Sequence, residues 1–113
     1  SIVTFEIEKE KSEQTRKVFE QFCLPVKVIT GDAKESLKKV SGNFDFVFID
    51  AMKKEYLAYI KLIEPHLADK SVIVADNILS HKDHVKEYVS YMEKNYMSVL
   101  VPVGSGLLLS IKR

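Results

Sequence analysis

Six short runs of apolar, β-branched or aromatic residues, separated by helical patterns or a tight turn, restrict the possible folds of this chain more than any other feature. They are Ile2 to Ile7, Val26 to Thr30, Phe44 to Asp50, Ser71 to Asp76, Met97 to Val103 and Leu107 to Lys112. Each is bounded by glycine, proline, asparagine, aspartate or a charge cluster, as strands are. Most are continuous rather than alternating in polarity, and a continuous apolar strand belongs in a parallel sheet covered by helices on both faces. Between the runs, Tyr56, Leu57, Ile60, Ile63 and Leu67 recur at helical spacing. Val85, Tyr88, Val89, Met92 and Tyr96 repeat the pattern, and Val18, Phe19 and Phe22 do so earlier. Such stripes face a core. Asp32 with Glu35 three residues on reads as a capping box for a short helix over 33–40, closed by Gly42 and Asn43. Strand and helix thus alternate four times, followed by two strands joined through Gly104-Ser105-Gly106, which suits an antiparallel hairpin. The pattern predicts one domain over 1–113: a Rossmann-like, doubly wound, mostly parallel α/β sheet with a C-terminal antiparallel hairpin.

Length and charge narrow the partners. With 113 residues, 46% of them hydrophobic, the chain can build one core but not two. Lysine and arginine number 17 against 16 acidic residues, a net charge of +1, so no strong field draws nucleic acid or an anionic membrane. The apolar stretches fall short of the roughly 18 residues of a membrane span. A small-molecule substrate or another protein is the expected partner. The lone Cys23 has no second thiol for a disulfide or a metal clip, which fits a reducing compartment, and the cytoplasm is the expected location. Between Phe22 and Leu24 it is expected to be a small buried hydrophobe. Because residues 1–5 already read as a strand, a fragment of a longer gene product is expected.

In open α/β sheets ligands bind beyond the carboxyl ends of the strands. Those ends carry Glu6 and Glu8, Gly31-Asp32, Asp50, and Asp76-Asn77. Acidic groups gathered on one rim repel unless a cation or a hydroxylated ligand is present. Asp50, Asp76 and Asn77 offer only oxygen donors, which favours magnesium, calcium or manganese over zinc. Taken singly, each could equally cap the helix that follows. A glutamate at a strand end in a nucleotide-binding sheet hydrogen-bonds ribose hydroxyls. Glu6 ranks above Glu8, since alternation along Phe5-Glu6-Ile7-Glu8 leaves one of them facing the site. His81 and His84 lack a third ligand and read as solvated, and His66 near a helix end complements the dipole.

Phe44-Asp45-Phe46-Val47-Phe48-Ile49-Asp50-Ala51-Met52-Lys53, followed by Tyr56 and Tyr59, resembles a segment of the divalent-metal-dependent, catechol/caffeoyl-CoA-like class I S-adenosylmethionine-dependent O-methyltransferases. There a strand ending in "FIDA" precedes a lysine and spaced tyrosines. Ile73 to Leu79 resembles that family's "IVADNVL", and Pro102 to Leu107 its "PIGDGL" hairpin. Thr4 to Glu8 and Gly31-Asp32-Ala33 are similar to the segments flanking its cofactor. The resemblance covers nearly the whole chain in family order. It implies that Asp50, Asp76 and Asn77 bind the metal, which would hold the two oxygens of a catechol-like diol. It also implies that Glu6 takes the ribose of S-adenosylmethionine, that Asp32 and Ala33 lie beside the adenine, and that Asp50 adjoins the cofactor. Lys53 takes the place of the family's proposed general base, with Lys54 a nearby rival. A metal-bound phenol is acidified and a lysine beside the same cation has its pKa lowered, so proton transfer near neutrality is feasible. Tyr56 and Tyr59 would flank the substrate, although both also fit the core stripe.

The departures are specific. Met52 replaces a usual acidic residue, Ser105 replaces the hairpin aspartate, and Lys70-Ser71 stands where a glycine pair is common. None of Gly31, Gly42, Gly104 and Gly106 lies in a glycine-rich first βα loop. That family's first strand is central, so without it the sheet must close the gap, borrow a strand from another copy as a homodimer or strand-exchanged oligomer, or leave two unpaired edges. Weak cofactor binding and poor turnover are expected. The alternative is a non-catalytic methyltransferase-like binding or assembly module. A dinucleotide oxidoreductase is disfavoured, because no glycine fingerprint follows a strand.

Overall fold

The computed structural model describes residues 1–113, which fall into two compact units, 1–40 and 41–113. The mixed α/β class with parallel strand pairs is the one expected from the sequence.

The first unit runs β1 (Ile2–Glu6), α1 (Lys9–Gln21), β2 (Val26–Thr30) and α2 (Ala33–Leu37). β1 and β2 pair in parallel, from Ile2 opposite Val26 to Glu6 opposite Thr30. The stripe of Val18, Phe19 and Phe22 does not form a buried face, since Val18 and Phe22 are exposed, Phe22 at 64%. The helix instead turns inward Ser12, Thr15, Arg16 and Phe19, which share one face by helical spacing. Ser12 is buried, its hydroxyl is hydrogen-bonded to that of Thr30, and Arg16 donates to the Val28 carbonyl at 3.0 Å. A polar contact of this kind leaves no trace in hydrophobic periodicity. Cys23 is likewise exposed rather than buried. It takes the left-handed position after α1 (φ 53°), with its N–H on the Glu20 carbonyl and that of Leu24 on the Phe19 carbonyl. This is the Schellman ending that usually employs glycine. At the next helix Asp32 is the expected cap, accepting from the Lys34 N–H at 2.9 Å, but α2 ends at Leu37 rather than Val40.

The second unit contains β3 (Phe44–Ile49), α3 (Tyr56–Ile63), β4 (Leu67–Ala75), α4 (Lys86–Asn95), β5 (Met97–Val101) and β6 (Leu107–Ile111). Single 3-10 turns at Lys53–Glu55 and Glu64–His66 flank α3. The strand order is β3-β4-β6-β5, with β3 parallel to β4 and the other two pairings antiparallel. Leu67, read from sequence as the end of a helical stripe, opens β4 instead, because Pro65 in the intervening turn cannot continue the helix. It is buried all the same. β4 begins earlier than expected through an irregularity: Phe44 lies opposite Leu67, but Phe46 lies opposite Val72. The extra residues include Lys70 at φ 61°, a left-handed position that glycine would occupy without strain.

Tyr56, Tyr59, Ile60 and Ile63 of α3 and Tyr88 and Met92 of α4 are buried, with Val85 and Tyr96 buried just outside the ends of α4. They form the core with Ile73, Ala75 and Leu108 of the sheet. Tyr56 and Tyr88 meet edge to face at 5.6 Å. Tyr91 and Tyr96 both donate their hydroxyls to Glu64 Oε1, at 2.6 and 2.8 Å, tying α4 to the turn before β4.

Within the chain, the edges of β1 and β3 away from β2 and β4 carry no partner strand. β1 pairs only with β2 and β3 only with β4, and β3 exposes Phe46 and Phe48. No helix is long and apolar enough to cross a membrane.

Candidate functional site

The candidate residues fall at the carboxyl ends of parallel strands in both units. In the first unit, Glu6 ends β1 opposite Thr30, and the Gly31 N–H extends the ladder to the Glu6 carbonyl at 2.9 Å. Glu6, Asp32 and Ala33 therefore lie at two adjacent strand tips. Glu6 is half-buried, with one carboxylate oxygen accepting from the Glu8 N–H at 3.1 Å. Glu8 is exposed, precedes α1 as its N-cap residue and pairs with Lys11 at 3.4 Å. Asp32 spends one oxygen on its helix cap, and Ala33 opens α2.

In the second unit, Ile49 lies opposite Ala75, so Asp50 and Asp76 follow from neighbouring strand tips. The Asp76 N–H donates to the Ile49 carbonyl at 3.0 Å, carrying the strand pairing to the last residue before the loops. Tyr56 donates its hydroxyl to the Asp76 carbonyl at 2.9 Å. Both Tyr56 and Tyr59 are buried, which makes them core residues that support the rim from below. Asp76 Oδ1 accepts from the Asn77 N–H at 2.7 Å and from the Ser105 hydroxyl at 2.9 Å. Asn77 stands at φ 65°, a left-handed conformation that asparagine tolerates. Its amide nitrogen donates to Ser80 Oγ at 3.3 Å and Ser105 Oγ at 3.2 Å.

Lys53 reaches back three residues to Asp50, Nζ to Oδ1 at 2.8 Å, and its ammonium stands 5.6 Å from the centre of the Tyr56 ring. Its side chain is 19% exposed against 42% for Asp50. Burial pulls the Lys53 pKa down, but hydrogen bonds and charge from Asp50 and Tyr56 outweigh it and hold the ammonium above its ordinary value. The lowering expected from a neighbouring cation is thus opposed by this ion pair. Lys54, the rival, is exposed. Tyr56 is itself raised, mainly by burial.

The donor set can be tested against a cation. No three His, Cys, Asp or Glu side chains gather at one point. Two carboxylates and an amide oxygen, completed by water or substrate oxygens, match what hard divalent ions accept. His81 and His84 have ring centres 6.0 Å apart, and His81 Nδ1 is hydrogen-bonded to Ser80 Oγ at 2.9 Å. Sequence reasoning passed over Ser80, and it read Ser105 only as a turn residue and a departure from the family, not as a partner of Asp76 and Asn77. Only the Gly-Ser-Gly turn could have signalled Ser105, since its bonding partners lie 28 and 29 residues away.

Comparison with known proteins places these features in a family. The profile of the O-methyltransferase family matches residues 1–112. O-methyltransferase ankF of Aspergillus thermomutatus is 35% identical over 57 residues, 48% of this chain and 24% of that protein. A probable caffeoyl-CoA O-methyltransferase 3 of Dictyostelium discoideum is 39% identical over 59 residues, again 48% and 24%. Among solved structures, the SAH-bound methyltransferase PaMTH1 of Podospora anserina superposes with a TM-score of 0.90 at 22% identity, over 100% of this chain and 61% of its own. The chain therefore spans about a quarter of the length of these curated relatives and 61% of that solved neighbour. With a family profile matched along all but its last residue, this chain belongs to the O-methyltransferase family.

Proposed function

We propose that this chain takes part in S-adenosylmethionine-dependent O-methyl transfer to a hydroxyl of a small aromatic diol, assisted by a divalent cation. The observation that carries this reading is that Asp50 and the Asp76-Asn77 pair follow the neighbouring, paired ends of β3 and β4, with Lys53 bonded to Asp50. Asp50, Asp76 and Asn77 are the residues that would hold the cation. Glu6 would accept the ribose hydroxyls, with Asp32, Ala33 and Asp50 as further cofactor contacts. When bound, the cofactor supplies an electrophilic methyl group and the cation lowers the pKa of a hydroxyl beside it. Lys53 is the group proposed to take up the substrate proton. For that it must release its own proton, and so leave its pairing with Asp50.

The test is thermal unfolding with and without magnesium, calcium or manganese. The expected result is a rise in Tm that Asp76→Ala abolishes. A parallel assay follows methylation of a catechol by mass spectrometry. A Tm that none of the ions moves would remove the cation from this reading. A second reading, a binding or assembly module, is favoured by the unpaired β3 edge with its exposed Phe46 and Phe48. It predicts a homodimer or strand-exchanged oligomer by sedimentation, with no response to cations.

A further inference from the structure

The β5–β6 turn is fastened to the loop that follows β4. The N–H groups of Leu79 and Ser80 donate to the Ser105 carbonyl at 2.9 and 3.1 Å, and that of Ile78 donates to the Gly106 carbonyl at 3.0 Å. Gly106 is buried against Leu79, where a Cβ would stand 2.6 Å from Leu79 Cγ and 2.9 Å from its backbone nitrogen. The position of Ser105 is therefore set by backbone. Its hydroxyl has one proton, and that proton goes to Asp76 Oδ1 at 2.9 Å. The Ser105 oxygen can then only accept, and the group facing it is the Asn77 amide nitrogen at 3.2 Å. Ser80 Oγ accepts from the same nitrogen at 3.3 Å.

From this we infer that Ser105 is the positioning residue of the Asp76–Asn77 pair: its hydroxyl fixes one carboxylate oxygen of Asp76 and turns the Asn77 amide nitrogen inward, leaving one oxygen of each residue for a divalent cation. The inference rests on the cation reading of the preceding section and deepens it. A serine serves here because one hydroxyl both donates to a carboxylate and accepts from an amide. Alanine does neither. Without the hydroxyl, Asp76 Oδ1 keeps only the Asn77 N–H, and the amide is held through Ser80 alone.

The experiment compares the wild-type chain with Ser105→Ala and Ser105→Thr. Manganese affinity is measured by titration calorimetry, and the Asn77 side-chain NH2 resonances are followed by NMR without metal. Ser105→Ala is expected to weaken manganese binding by about 10- to 100-fold, as loss of an outer-shell partner does, while Ser105→Thr restores it. In the metal-free chain the Asn77 NH2 pair is expected to shift and to exchange faster in Ser105→Ala alone. Unchanged affinity in Ser105→Ala, or a Ser105→Thr variant as weak as alanine, overturns the inference while the cation reading survives. A wild-type chain that takes up no manganese overturns the cation reading and, with it, the role of Ser105 toward a metal. An Asn77 NH2 pair unmoved by Ser105→Ala overturns the positioning itself.

Discussion

Replacing Gly106 by alanine places a methyl group where the β5–β6 turn meets the loop after β4. Two costs add. The backbone stands at φ 90°, a region that costs an L-residue about 1–2 kcal/mol. The new Cβ would also lie 2.6 Å from Leu79 Cγ and 2.9 Å from the Leu79 backbone nitrogen. The side chain can swing aside, but the nitrogen is tied to the Ser105 carbonyl and cannot, so overpacking adds about 1–3 kcal/mol. The sum is about 2–5 kcal/mol, a large part of the roughly 5–15 kcal/mol that a domain possesses. With an unfolding entropy of about 2.1 cal/mol/K per residue, Tm should fall by about 8–20 °C. Gly104→Ala is the control: φ is 58° and nothing lies within 4 Å of its Cβ, so only the backbone cost of about 1 kcal/mol applies, a fall of about 4 °C. Differential scanning calorimetry measures both. Amide exchange should also quicken at Ile78 and Leu79, which donate to this turn. A Gly106→Ala variant that melts with Gly104→Ala, its Ile78 and Leu79 amides still protected, would refute the reasoning.

The tyrosines on Glu64 predict a pH response. Hydrogen bonding to Glu64, then burial and the nearby charge, pushes the Tyr91 pKa up to about 12, above the ordinary value of about 10. Since the folded value is the higher one, this stabilisation is complete below about pH 10 and is lost as the pH rises toward 12. Glu64→Ala should return Tyr91 toward its ordinary value in an ultraviolet phenolate titration, read as the difference from the same titration of Tyr91→Phe; an unchanged midpoint would reject the cause. Cys23→Gly should stabilise the α1 ending by about 1 kcal/mol, because it relieves a left-handed residue at a Schellman position. Urea unfolding measures the gain, and a lower midpoint would count against it.

The candidate site residues were readable from the sequence because each sits next to a strand that period and composition reveal. Asp50 follows Phe44–Ile49 and Asp76 follows Val72–Ala75, so two acidic strand tips could be named before their pairing was known. The core stripes of α3 and α4 were equally legible, since buried Tyr56, Ile60, Ile63, Tyr88 and Met92 repeat at helical spacing. The buried face of α1 was not. It is built from Ser12 and Arg16 reaching Thr30 and Val28, and hydrogen bonds between distant polar groups carry no periodic signal. Cys23 was misplaced for a related reason: its neighbours are apolar, but its left-handed backbone is set by the carbonyls of Phe19 and Glu20.

The sequence by itself determined the alternation of strands and helices, the acidic strand ends and the family likeness, because these depend on local period and on residue type. The tertiary structure alone decided that β6 enters between β4 and β5, that β3 is left as an edge, and that Ser105 arrives beside Asp76 and Asn77. Those outcomes depend on which distant backbone groups satisfy one another's hydrogen bonds, a choice made only when the chain closes on itself.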